Sequence, residues 1–330
     1  MSRYSFIIWG VRLWFGALLL FGVEIIIWTD PLALPSADWL RRGLICTLIA
    51  TLTLDLAVRF RIRDIYDSMA LMAIPALLIG LLIAPDFAHA DFPRTLLTRV
   101  LGAYGLVSLE MFGLLLVLCR LPDARTRRLV LPIAAWNGFY FGVWLRWMPV
   151  FNPQITPPTA LEAALGLTAV IFAVCGGWWL MLRRPLTRLR ALDLRLSTVS
   201  FLLLLAALIA LSLPPLIAEA LTAGPLVASL LLIGVSYAVL YFRRSPRDPM
   251  LLEAFLPAQP TSPLWLVGIA AAFLAACGLA YHLPLTGNSQ INQLWLMEVG
   301  FGAVGALWYP LVAAVLAFRA VDEQMRRGVL

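Results

Sequence analysis

Ten long apolar runs fill this chain, and short polar stretches separate them. The runs lie at about 6–28, 44–60, 65–84, 96–119, 129–150, 160–182, 198–218, 226–242, 264–283 and 294–318. Each is close to the ~20 residues that a helix needs to cross ~30 Å of hydrocarbon. The pattern predicts an all-α integral membrane protein, a polytopic bundle of about ten transmembrane helices forming a single domain over residues 1–330. Ten spans divide into two halves of five, about 1–152 and 153–330, and an odd number per half would set them inverted to one another. No residue-level match between the halves accompanies that division.

The polar punctuation carries a direction. Arginine-rich stretches begin at Arg59, Arg120, Arg183, Arg243 and Arg319, about two spans and a turn apart. Counted on alternate sides of ten spans, nineteen arginines fall on one side: Arg3, the groups beginning at those five positions, and the residues that follow each. Five fall on the other: Arg41, Arg42, Arg94, Arg99 and Arg146. By the positive-inside rule both termini are cytoplasmic, and Arg41 and Arg42 are a local exception that does not reverse the total. Trp28, Trp39, Trp147, Trp265 and Trp295 fall near predicted span ends, as interfacial anchors do. The first run is too long for a cleavable leader and lacks a small-residue cleavage site, so it reads as a retained span. The proline-rich connection after Arg243 reads as extended chain.

Composition agrees. The 330 residues are 62% hydrophobic and 13% charged, about half the charged share of a soluble domain. The net charge of +7 sits in short loops beside membrane, so it implies anionic lipid headgroups as partners, not nucleic acid. All 25 basic residues are Arg, which excludes Schiff-base and P-loop lysine chemistry. Cys46, Cys119, Cys175 and Cys277 stand singly in different apolar runs and read as small hydrophobes. His89 and His282 both map to the outer edge, which argues against haem held within the bundle, and their spacing from Asp86 and Asp91 is no metal signature. The sequence implies no cofactor and no metal.

Candidate chemistry is therefore sought among the few polar groups inside apolar runs, where a charge costs about 2.5–3.5 kcal/mol on insertion scales. Glu110 is central in the fourth run. Arg99 precedes it by eleven residues, three α-helical turns, which would set both on one face about 16 Å apart. Glu110 reads either as a coupling carboxylate in a polar pathway or as a protonated packing group. Arg12 and Asp55, toward the cytoplasmic ends of adjacent spans, suggest a structural ion pair. Glu24, Arg146 and Glu298 lie near the outer boundary. In the fifth run Asn137 needs a hydrogen-bond partner, and Trp136, Tyr140 and Trp144 surround it with rings suited to a pocket or to lipid packing. Gly300, Gly302, Gly305 and Pro310 in the last run, and Pro75 in the third, suggest either close packing or a hinge.

Three functional readings follow. The leading one is a multi-pass protein of a bacterial inner membrane, a secondary transporter or flippase for a small or lipid-linked substrate. Glu110, Arg99, Asn137, Trp136, Tyr140, Trp144 and Arg146 would then form its pathway. The second is a non-catalytic membrane subunit of an envelope complex for secretion, polysaccharide or respiration, with protein partners. The third is a membrane enzyme acting on a lipid-linked donor. No motif carries a resemblance to a known family.

Overall fold

A computed structural model describes residues 3–27, 34–85, 91–120, 124–151, 159–182, 189–217, 222–243, 249–259, 262–283 and 287–326. The predicted positions Trp28, Asp86 and His89 lie outside these residues. So do the side chains of Trp147, Trp295 and Glu298. Among the described residues every regular element is helical and no strand occurs. The helices are α1 (Arg3–Leu20), α2 (Ser36–Arg59), α3 (Ile65–Leu82), α4 (Gly105–Cys119), α5 (Ala124–Phe151), α6 (Ala160–Leu182), α7 (Thr198–Ile217), α8 (Ala223–Arg243), the short α9 (Leu251–Phe255), α10 (Pro263–Tyr281) and α11 (Gly287–Arg326). π-helical turns extend α1 over Phe21–Ile26 and precede α4 over Leu96–Tyr104.

Among the described residues, seven helical segments are long and apolar enough to cross a membrane: Phe6–Ile26, Ile65–Leu82, Leu96–Cys119, Ala160–Trp179, Ala223–Arg243, Pro263–Tyr281 and Val299–Arg319. Three predicted runs are helical without meeting that standard. The apolar part of α7, Thr198–Leu213, is too short. Helix α2 carries Asp38, Arg41, Arg42, Asp55 and Arg59, and α5 carries Arg125, Arg127, Arg128 and Arg146. Leucines and phenylalanines such as Leu203, Leu231, Leu264 and Phe318 stand more than 60% exposed. Apolar surface on this scale suits hydrocarbon, not water.

The contacts group into two compact units. The first comprises Met1–Thr51, Glu110–Leu194 and Leu252–Leu296. Within it α5 packs on α10 backbone to backbone: a Cβ added at Gly138 would lie 2.0 Å from the Phe273 carbonyl oxygen, and one at Gly142 2.3 Å from that of Cys277. These glycines are four residues apart and face one neighbour, the spacing that lets membrane helices approach closely. Phe141 and Phe273 meet beside them at 5.8 Å. Helix α1 packs on α6 through Trp14 and Trp178, 5.7 Å apart, and the buried Trp178 Nε1–H donates to the Leu118 carbonyl at 3.1 Å.

The second unit comprises Leu52–Leu109, Arg195–Leu251 and Met297–Leu330. Its enclosed helix is α3, 78% buried, against α7, α8 and the π segment. Helix α2 ends in a left-handed residue, Arg61 at φ 52°. The Ile62 N–H bonds back to the Ala57 carbonyl and the Arg61 N–H to that of Val58, the bonding of a Schellman cap with arginine in the usual glycine place. Three residues later Asp64 caps α3, accepting from the N–H groups of Tyr66 (2.9 Å) and Asp67 (3.1 Å). In α11 Gly305 lies against the Leu97 carbonyl, while Gly102 lies against that of Phe301. The buried Trp308 donates to the Met69 carbonyl at 2.8 Å.

The connection after Arg243 differs from the expected extended chain. It contains α9, and Met250, Leu252, Leu256 and Ala258 are all buried. The Leu251 N–H donates to the Ile62 carbonyl, and the Gln259 N–H to that of Cys119. The prolines suggested extended chain, but apolar residues between them dock the segment.

Candidate functional site

In the first unit Glu110 lies in the first half of α4, among apolar neighbours, and its half-buried carboxylate takes a hydrogen bond from the Asn137 amide of α5. Tyr140, less than one turn beyond Asn137, lies within electrostatic reach of the same carboxylate. Three of the sequence candidates thus converge. They do so because Gly138 and Gly142 turn one face of α5 to α10, leaving the adjacent Asn137 side for α4. Trp144 donates its indole N–H to the Ile27 carbonyl, and Arg146 donates to the Tyr281 carbonyl. Trp136 is 69% exposed and stacks on Phe139, a position suited to lipid contact.

The α-helical spacing that would give Arg99 and Glu110 a common face is not kept. Residues 96–104 wind with i→i+5 bonds, so eleven residues no longer amount to three turns. Arg99 belongs to the second unit and Glu110 to the first. Arg12 and Asp55 likewise take partners within separate units. Buried Arg12 donates to the Leu194 carbonyl at 3.2 Å and lies 5.0 Å from the Trp9 ring. Buried Asp55 pairs with Arg59 on its own helix and accepts the Leu196 N–H at 2.6 Å, while Arg59 returns a bond to the Leu196 carbonyl. Of the hinge candidates, Gly302 and Gly305 are in contact with the π segment, Gly300 faces open space, Pro75 is buried in α3 and Pro310 is exposed in α11.

Two charged constellations escaped the sequence reading. In the first unit fully buried Glu24 meets Arg42 at 2.6 Å. In the second, Asp64 and Asp67 gather three arginines from separate stretches. Arg243 reaches Asp64 at 3.1 Å and Asp67 at 2.7 Å. Arg63 lies 3.5 Å from Asp67, and Arg319 bonds Asp64 with its guanidinium 5.5 Å from the Tyr66 ring. Partial burial pushes the Asp64 carboxyl up, but the Arg319 hydrogen bond, the Asp67 N–H and the two guanidinium charges hold it below the usual carboxylate range. The available signal was Asp64 three residues before Asp67 at a helix start, an N-cap pattern. It was obscured because the flanking arginines had already been explained as topogenic.

Two clefts stand out, both apolar. One lies between α6 and α10, lined by Phe172, Cys175, Gly176, Trp179, Leu266 and Ala270 among others. The second is an open face of α8 along Val227, Leu231 and Val235. Neither is lined by Glu110, Asn137 or Tyr140. Among the described residues no three His, Cys, Asp or Glu side chains gather as metal ligands. Comparison of the chain with family models, curated proteins and solved structures returned no match.

Proposed function

We propose that this is a multi-pass protein of a bacterial inner membrane, with ten spans and cytoplasmic termini. In this reading it moves a small or lipid-linked substrate as a secondary carrier or flippase. The observation that carries the proposal is the hydrogen bond from Asn137 to Glu110, with Tyr140 near the same carboxylate. An amide can donate to a carboxylate and accept from a carboxylic acid. Asn137 therefore keeps Glu110 bonded in both protonation states, which is what a proton-coupled group requires. In the first unit, Arg146 would attract an anionic substrate group at the outer end of α5.

Ten spans draw support from which segment ends touch. Within the first unit Trp144 meets Ile27, Arg146 meets Tyr281 and Arg42 meets Glu24, all ends that ten alternating spans put outside. Arg12 meets Leu194, Arg120 meets Ala254, and Gln259 meets Cys119, all ends put inside. In the second unit Asp55, Arg63, Asp64, Leu196, Arg243 and Arg319 share the inner side in the same way.

The test is uptake into proteoliposomes under an imposed pH gradient, with sugars, organic anions and polyprenyl-phosphate sugars as probes. Gradient-driven uptake of the accepted probe should fall at least tenfold in Glu110→Gln and persist in Glu110→Asp. Uptake by Glu110→Gln equal to wild type would remove the coupling role. Purification only with stoichiometric partners, together with that result, would favour a membrane subunit of an envelope complex.

A further inference from the structure

Three candidate spans end on one charge cluster. Ile65–Leu82 begins next to Asp64, while Ala223–Arg243 and Val299–Arg319 finish in arginines that bind it. We infer that Arg319 and Asp64 form a latch that closes the end of α11 beyond Pro310 onto α3, with Pro310 as its hinge. The inference concerns the second unit alone and holds whatever Glu110 does.

The two ends of this part of α11 are held very differently. Before Pro310 the helix is fastened: Gly302 and Gly305 lie on the π segment, and Trp308 is bonded to Met69. The Tyr309 hydroxyl lies 2.8 Å from Ser236 Oγ and 3.1 Å from the Leu232 carbonyl. Pro310 then removes one helical N–H, leaving the turn at Ala306 without its usual donor and easier to bend. Beyond it Val312 is buried, but Leu311, Phe318, Val321 and Met325 are exposed. Arg319 reaches back from this exposed arm to Asp64 and to the Tyr66 ring.

The charges are graded as a latch requires. Asp67 and Arg243 are 4% and 10% exposed, so breaking that pair would strand a buried charge. The Arg319 side chain is 43% exposed and can exchange Asp64 for water, as accessible pairs do at little cost. When Arg319 leaves, Asp64 still holds Arg243 and its two capping N–H groups. Arg63, Asp67 and Arg243 thus form the standing part, and Arg319 the moving one.

Spin labels at Phe242 (84% exposed) and Phe318 (77% exposed), in the full chain with its four cysteines replaced and in lipid nanodiscs, report the closure through their distance distribution. A narrow distribution is expected with Arg319 intact. Arg319→Gln should add a longer-distance population, Arg319→Lys should largely restore the narrow one, and Pro310→Ala on the Arg319→Gln background should reduce the longer one. Molar salt should produce the same population without any change at Arg319, which keeps the test open if Arg319→Gln does not fold. Distributions that superimpose for Arg319 and Arg319→Gln, or that ignore salt, would overturn the latch.

Discussion

Asp67 and Arg243 sit nearly out of contact with solvent, 2.7 Å apart, and each would be costly there alone. Replacing Asp67 with Ala leaves Asp64, among the described residues, as the one acidic partner of Arg243, with Arg63 and Arg319 close by, and the loss should approach the lower end of the about 3–5 kcal/mol that breaking a buried pair costs. The expected result is a marked fall in unfolding temperature in detergent. Asp67→Leu combined with Arg243→Leu should recover most of it, because the pair's attraction largely offsets its own desolvation. A double variant no better than Asp67→Ala would show that the network does more than satisfy its own charges. At this scale the sequence disclosed Glu110 and Asn137, since a carboxylate and an amide inside apolar runs are conspicuous. It concealed Asp64 and Asp67, which stand at a helix start where acidic residues are ordinary. Only partners distant along the chain, at Arg243 and Arg319, distinguish them from a simple cap.

The helices themselves were legible as apolar runs, but the way they pack was less so. Gly138 and Gly142 lie in the same WNGFYFG string whose aromatic residues drew attention, and it is the glycines, with Phe141 between them, that bring α5 against α10. Gly142→Ala should cost about 1–3 kcal/mol, the usual penalty for overpacking. Gly166→Ala, where an added Cβ meets nothing within 4 Å, should be neutral or stabilising by up to about 1 kcal/mol. Reversible unfolding of the two variants in mixed micelles makes the comparison, and equal stabilities would contradict the close α5–α10 approach. The π-helical stretches at 21–26 and 96–104 left no trace in hydropathy. A π turn changes which residues share a face without changing how apolar the helix is, so spacing arguments across 96–104 were bound to drift.

Across the whole molecule the ten-span reading makes a prediction about sides. Single cysteines in a background free of the native four should label with an impermeant maleimide according to parity. Leu40→Cys should react in intact spheroplasts; Leu264→Cys and Phe242→Cys should react only in inverted vesicles. Reaction of Leu264→Cys from outside would break the alternation. The sequence by itself determined that the chain is helical and apolar enough for a bilayer, because hydrophobic run length and the cost of buried charge act locally along the chain. It also determined an arginine asymmetry that a membrane can read. Tertiary structure decided what individual charges hold. Arginines that looked like topological labels, among them Arg59, Arg63, Arg243 and Arg319, close on Asp55, Asp64 and Asp67. Such partnerships depend on which helix ends arrive together, and no local pattern of hydrophobic and polar residues encodes that meeting.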